Sequence, residues 1–204
     1  MFDSNEDRYP VAEQAIADPD ILCLLVDNLA TGERRMRQFC AAAVAVVADR
    51  QPTCLVSYVS QIADALHRPE AQTRWEILET LTCIVRLDPE SVDAAVEGAE
   101  SSLYDEESGS ARLGAVRFLT AYGALDAKRS VRVWPMIDEA IQCYHGDAEF
   151  QDMLVAIIGY ASGHISKEVR AKLADRMRFD AMNAKGPLKR RAMQIVELCD
   201  CQTK

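Results

Sequence analysis

A stripe of apolar residues returns along this chain about every 38 residues, and no other property of the sequence narrows the fold as much. Counted from Arg37, Arg74, Arg112, Phe150 and Lys189, the spacings are 37, 38, 38 and 39 residues. Three residues after each origin stand Cys40, Ile77, Ala115, Met153 and Ala192. Four after come Ala41, Leu78, Val116, Leu154 and Met193, and seven after come Val44, Leu81, Leu119, Ile157 and Val196. Every one of these positions is apolar. Recurrence at i+3, i+4 and i+7 marks one face of an amphipathic helix, so each origin lies near the start of a helix that buries one side.

A second set of helical segments shares the period and falls between the first, at 21–30, 54–67, 91–104, 134–145 and 166–182. Two of its stripes run Leu55, Tyr58, Val59, Ile62, Leu66 and Val92, Ala95, Val96, Ala99, Leu103. Pro52, Pro89 and Pro135 are expected at or just inside helix starts, where a missing N–H costs nothing, with Trp134 packing on the preceding unit. Gly32, Gly109, Gly146 and Gly186 precede four of the origins and mark tight turns; Arg68-Pro69 takes that place in the remaining one. Inside the second helices, Gly114 and Gly159 each cost about 1 kcal/mol against alanine. Either a neighbouring helix comes close there or the cost is simply tolerated. One helix pair cannot cover its own apolar face, whereas successive pairs stacked together bury a continuous core. The pattern therefore predicts an all-α fold, a right-handed α-solenoid of about five helix pairs over residues 19–204, with 1–18 as a short leader.

Composition bounds the setting. The chain is 49% hydrophobic and 27% charged, unlike a disordered tail or a membrane protein. Its 23 basic and 32 acidic residues leave a net charge of −9, which disfavours nucleic acid as the main partner. Residues 1–7 are acidic where an export signal needs positive charge. The longest apolar runs, 40–48 and 153–160, fall well short of the roughly 20 residues of a membrane span. Of seven cysteines, Cys23, Cys40, Cys54, Cys83 and Cys143 lie in periodic segments and read as core residues. Cys199 and Cys201 stand close together but form no metal-ligand cluster. These features point to a reducing cytoplasm.

The second helix of each unit, in forms such as Gln72-Thr73-Arg74-Trp75-Glu76-Ile77-Leu78 and Ser110-Ala111-Arg112-Leu113-Gly114-Ala115-Val116, resembles the HEAT-repeat pattern. That resemblance implies an Arg near the helix start followed by apolar residues at +3, +4 and +7, and it extends over residues 19–200. It implies also an arginine hydrogen-bond ladder between repeats, which Phe150 and Lys189 interrupt. Solenoids of this class serve as scaffolds, adaptors and transport receptors, and a few are enzymes.

Chemistry-bearing motifs are sparse. Nucleophile elbows, phosphate-binding glycine loops and His-Glu-x-x-His pairs are absent, and the histidines are His67, His145 and His164. His145-Gly146-Asp147-Ala148-Glu149 offers an imidazole and two carboxylates, but acids at a helix start are explained by capping. No metal, cofactor or catalytic residue is expected. Trp75 and Glu79 share one side of a helix. With Trp134 they resemble the site of a bacterial family of alkylpurine DNA glycosylases built from HEAT-like repeats, which sets tryptophans and an acid beside the damaged nucleotide. Those enzymes line the groove with basic residues, whereas Glu76 and Glu79 make this one acidic and repel a duplex.

Wheel arithmetic places positions +2 and +5 of the second helices opposite the core. In unit order these are Phe39 and Ala42, Glu76 and Glu79, Gly114 and Arg117, Asp152 and Val155, Arg191 and Gln194. The first pair is apolar and is expected to be covered by the leader or by another chain. Phe39, Glu76, Glu79, Arg117, Asp152, Arg191 and Gln194 then form a concave ridge able to select a partner by charge. Residues 88–107 hold eight acidic groups and no basic one, while 165–204 hold ten basic and five acidic. This dipole and the apolar first row suit self-association as well. The leading expectation is a non-catalytic cytoplasmic adaptor that binds another protein on this ridge.

Overall fold

A computed structural model describes residues 8–201, which form eleven α-helices and no β-strand. In order they are α1 (Arg8–Ala17), α2 (Pro19–Thr31), α3 (Arg34–Arg50), α4 (Val59–Asp64), α5 (Ala71–Ile84), α6 (Ala95–Leu103), α7 (Gly109–Gly123), α8 (Ala127–Cys143), α9 (Phe150–Ser162), α10 (Lys167–Asn183) and α11 (Gly186–Cys201). The chain divides into two compact units between Phe118 and Leu119, within α7. Residues 1–7 of the expected leader lie outside the described residues.

The five origins begin the second helices α3, α5, α7, α9 and α11. Of the fifteen stripe positions only Met193 and Val196 are not buried. Both belong to α11, whose outer row has no following helix among the described residues. Burying a side chain such as Leu78, Leu81 or Ile77 stabilises the fold by about 1.5–3 kcal/mol. Gly186, at φ +61, opens α11 in a conformation that favours glycine. The first helices of the second and third helix pairs are partly 3-10: Pro52–Tyr58 and Ala65–His67 flank α4, and Ser91–Ala94 precedes α6. Their stripes are nonetheless buried, apart from the partly exposed Tyr58.

In the first unit α1 packs on both α2 and α3 and buries Val11, Ala12 and Ala15. An Arg50–Glu13 ion pair ties it to the end of α3. In the second unit Tyr160 of α9 is buried and donates to the Ser130 carbonyl at 2.9 Å, while the Ser130 hydroxyl accepts from the Ser166 N–H at 3.0 Å. Side-chain caps start α2, α7, α8 and α10, with Asp18 accepting from Asp20, Ser108 from Ala111, Asp126 from Arg129 and Ser166 from Val169.

Three expectations need correction. Pro135 does not start a helix; it lies inside α8, which begins at Ala127. Its ring deprives the Val131 carbonyl of a donor, and Val131 is exposed, so water can serve instead. Trp134 accordingly sits mid-helix. Cys83 and Cys143 are exposed rather than core, because each falls on the outer side of its helix. The two helix glycines differ: a Cβ on Gly114 would meet Leu78 at 3.3 Å, which reveals close approach of α5 and α7, whereas nothing lies within 4 Å of one on Gly159.

Candidate functional site

The origin arginines form the frame on which the second helices are set. Each reaches back to the turn before its own helix. Arg37 donates to the Gly32 carbonyl at 2.8 Å, Arg74 to those of Arg68 and Pro69 at 2.9 Å, and Arg112 to that of Asp105 at 2.8 Å. Arg37 and Arg74 also reach forward into the next repeat, to Glu70 and Asp105. Asp105 is itself fixed, since it accepts from the N–H groups of Glu107 and Ser108 at 2.9 and 2.8 Å. Charge-assisted bonds of this kind are stronger than neutral ones, and here they set the spacing of successive second helices. Glu70 and Asp105 carry no sequence signal of their own. The spacing of about one repeat from Arg37 and Arg74 was the clue that could have found them.

The row at +5 reaches solvent in four of the five second helices. Glu79 and Arg117 are partly exposed and pair at 2.6 Å across α5 and α7. In the second unit Val155 of α9 and Gln194 of α11 are exposed. Ala42, the corresponding residue of α3, is buried where α1 packs on that helix. Exposed pairs such as Glu79–Arg117 contribute little to stability, which leaves them open to exchange partners.

The +2 row behaves differently. Glu76 and Gly114 are buried, Phe39 and Arg191 partly so, and Asp152 is exposed. A stacked second helix has a neighbour on each side, so its covered arc is wider than a single amphipathic stripe suggests. Gly114 faces Leu78 and the Trp75 backbone of the preceding second helix, and Arg191 bonds Gln151 of α9. Glu76 is 9% exposed instead of projecting freely. Burial pushes its carboxyl above the ordinary glutamate range, against the pull of Arg8, 3.8 Å away, and a hydrogen bond with Trp75. A carboxyl raised in the folded state costs stability once ionised, and that cost is absent at pH values below the ordinary glutamate range. Glu76→Gln is therefore expected to match or exceed wild-type stability at pH 7, with any advantage vanishing below about pH 4. Urea melts at the two pH values measure this, and a loss at pH 7 larger than at pH 4 would contradict it.

Trp75 and Glu79 lie in the first unit on α5, with Trp75 partly exposed. Trp134 lies in the second unit on α8, a first helix, and is buried there. His145 is exposed, contacts Asp180 at 3.1 Å and packs on Phe150 at 4.9 Å between ring centroids. Among the described residues no three His, Cys, Asp or Glu side chains gather into a metal-binding group. No helix among them is long and apolar enough to cross a membrane.

Helix pairs that repeat one buried stripe at a constant period, with an arginine register in the first three second helices, make this chain an α-solenoid of the armadillo and HEAT type. Among solved structures it is similar to a designed armadillo repeat protein in complex with the peptide (KR)4, with a TM-score of 0.77, 15% identity, and coverage of 96% of this chain and 91% of that chain. It is also similar to computationally designed armadillo repeat proteins for modular peptide recognition, with a TM-score of 0.74, 16% identity, and coverage of 95% and 91%. At such identity the likeness is one of fold. The sequence matches no protein-family model and no curated protein.

Proposed function

We propose that this protein is a non-catalytic scaffold that binds an extended segment of another protein across the exposed side of its second helices. The observation that carries the reading is the +5 row: Glu79, Arg117, Val155 and Gln194 reach solvent while the +3, +4 and +7 positions of α5, α7 and α9 are buried. Neighbours of the same fold that are described as binding peptides support it. A polar row with an isolated apolar member suits recognition by side-chain complementarity, with charge setting specificity more than affinity. Phe39, Glu76, Asp152 and Arg191 flank this row and are proposed to shape it from the side.

Site-specific photo-crosslinking tests the face. A photoreactive phenylalanine at Val155 is expected to trap a partner protein that the same group at Gln142, on the outer side of α8, does not. Trapping from Gln142 with none from Val155 would assign binding to the first helices and end this reading. In the same assay Arg117→Glu is expected to weaken capture by a crosslinker at Glu79.

A further inference from the structure

Between α9 and α11 of the second unit lies a groove of about 420 Å³, lined by Gln151, Pro187, Arg190, Arg191 and Gln194. Its walls bring two guanidinium groups and two primary amides together, and no carboxylate lines it. Arg191 donates to the Gln151 side-chain oxygen, which fixes one guanidinium across the groove and leaves further N–H donors on it. Arg190 is exposed and has no hydrogen bond or ion pair among the described residues. Lys185, in the turn before α11, is exposed, and Lys189 of α11 donates to the Met182 carbonyl at 3.1 Å. The acids closest in sequence, Glu149, Asp152 and Glu197, lie outside the lining; Glu149 is partly exposed at the start of α9, and Asp152 and Glu197 are exposed on α9 and α11.

We propose that this groove receives an Asp or Glu side chain of the partner segment, its carboxylate held by Arg190 and Arg191. The proposal rests on the scaffold reading above and adds the chemistry of the ligand, which is opposite in charge to the (KR)4 peptide of the structural neighbour. Guanidinium groups match the planar carboxylate with paired N–H donors. Gln151 and Gln194 carry amide donors and acceptors that suit a peptide backbone lying alongside. An acidic protein segment fits better than a nucleic acid. Residues up to Phe118 hold 10 basic and 21 acidic groups against 13 and 11 from Leu119 onward, so only the second unit carries a net positive charge, and a small one. A continuous phosphate backbone needs a longer run of positive charge than one groove supplies.

Fluorescence anisotropy with three labelled probes decides the matter: an alternating Glu-Asp octapeptide, the (KR)4 octapeptide and a 12-nucleotide single strand, the probe lengths being about those of one groove and its flanks. The acidic peptide is expected to bind the full chain. Arg190→Glu should weaken it about tenfold or more, and Arg191→Gln by a similar factor, as for charge-assisted bonds to a carboxylate. Asp152→Asn should tighten it about twofold by removing a like charge. Arg190 is exposed, so an unchanged melting curve for Arg190→Glu is expected and separates lost binding from lost fold. Equal affinity of wild type and Arg190→Glu for the acidic peptide would overturn the proposal, as would tighter binding of the oligonucleotide. Binding of (KR)4 without the acidic peptide would remove the groove assignment and leave the scaffold reading standing. Binding of neither peptide would count against both.

Discussion

Arg37→Met should destabilise the first unit by about 3–5 kcal/mol, because it strands a buried carboxylate. The side chain of Glu70 is only 4% exposed, and its partner Arg37 also holds the carbonyl of Gly32. Burial alone would push the Glu70 carboxyl up, yet the hydrogen bond and charge of Arg37, helped by Arg34, hold it below the ordinary glutamate range. The sign follows. A carboxyl lowered in the folded state contributes stability that is present above its unfolded pKa, about 4.3, and is lost as the pH falls through the folded value. In Arg37→Met burial is opposed only by a backbone hydrogen bond and the charge of Arg34, so the carboxyl rises and protonation relieves part of the cost. The deficit should accordingly be larger at pH 7 than at pH 4. Arg37→Met combined with Glu70→Gln should recover much of the loss, because an amide in that place is neutral. Amide hydrogen exchange, read separately over residues 8–118 and 119–201, would locate the change, as repeat stability is largely a sum of local contributions. A uniform change across both units, or a double variant as unstable as the single one, would contradict this account.

Gly163→Ala is expected to cost the second unit about 3 kcal/mol, a steric effect rather than a backbone one. Gly163 has φ −82 and ψ −165, which alanine can adopt. A Cβ there would lie 2.5 Å from the Ala124 carbonyl oxygen, 2.6 Å from the Ala124 Cβ and 2.8 Å from its Cα. The backbone has little freedom to retreat. His164 donates its N–H to the same Ala124 carbonyl at 2.7 Å, and the buried Arg170 donates to the carbonyls of Ala161 and Gly163 at 2.8 and 2.6 Å. Separating the two turns would break these bonds together. Gly159→Ala, within α9, which Gly163 ends, is the control. Its Cβ would meet nothing within 4 Å, so this variant should gain up to about 1 kcal/mol from helix propensity. Chemical denaturation of the two variants should therefore move in opposite directions. A Gly163→Ala protein within about 0.5 kcal/mol of wild type would show that the turns are not held as tightly as these contacts indicate.

These two sites mark the limit of what the linear pattern exposes. Gly163 carries no sign in the sequence of how close Ala124 comes, since the two belong to different turns and are far apart along the chain. The two helix glycines looked alike, yet a Cβ on Gly114 would press on Leu78 where α5 and α7 approach, and one on Gly159 would meet nothing within 4 Å. Trp134-Pro135 has the composition of a helix start and lies mid-helix, because Asp126 caps α8 earlier and the proline falls one turn after the exposed Val131. Of the expected ridge, the +5 residues Glu79, Arg117 and Gln194 do reach solvent, whereas Glu76 at +2 is turned inward.

The sequence by itself determined the all-helical class, the period of the repeat, most of its turns and the buried stripe of each second helix, but not the helix α1 within the leader, the 3-10 stretches beside α4 and α6 or the start of α8. The features it determined follow from the alternation of apolar and polar residues within a few turns of chain, where the geometry of an α-helix leaves no freedom. The tertiary structure alone decided which acids meet Arg37 and Arg74, which side of each second helix stays open, and that Arg190 and Arg191 share a groove with Gln151. Those relations depend on the distance and rotation between neighbouring helices, which the packing of side chains fixes and a wheel drawn for one helix does not contain.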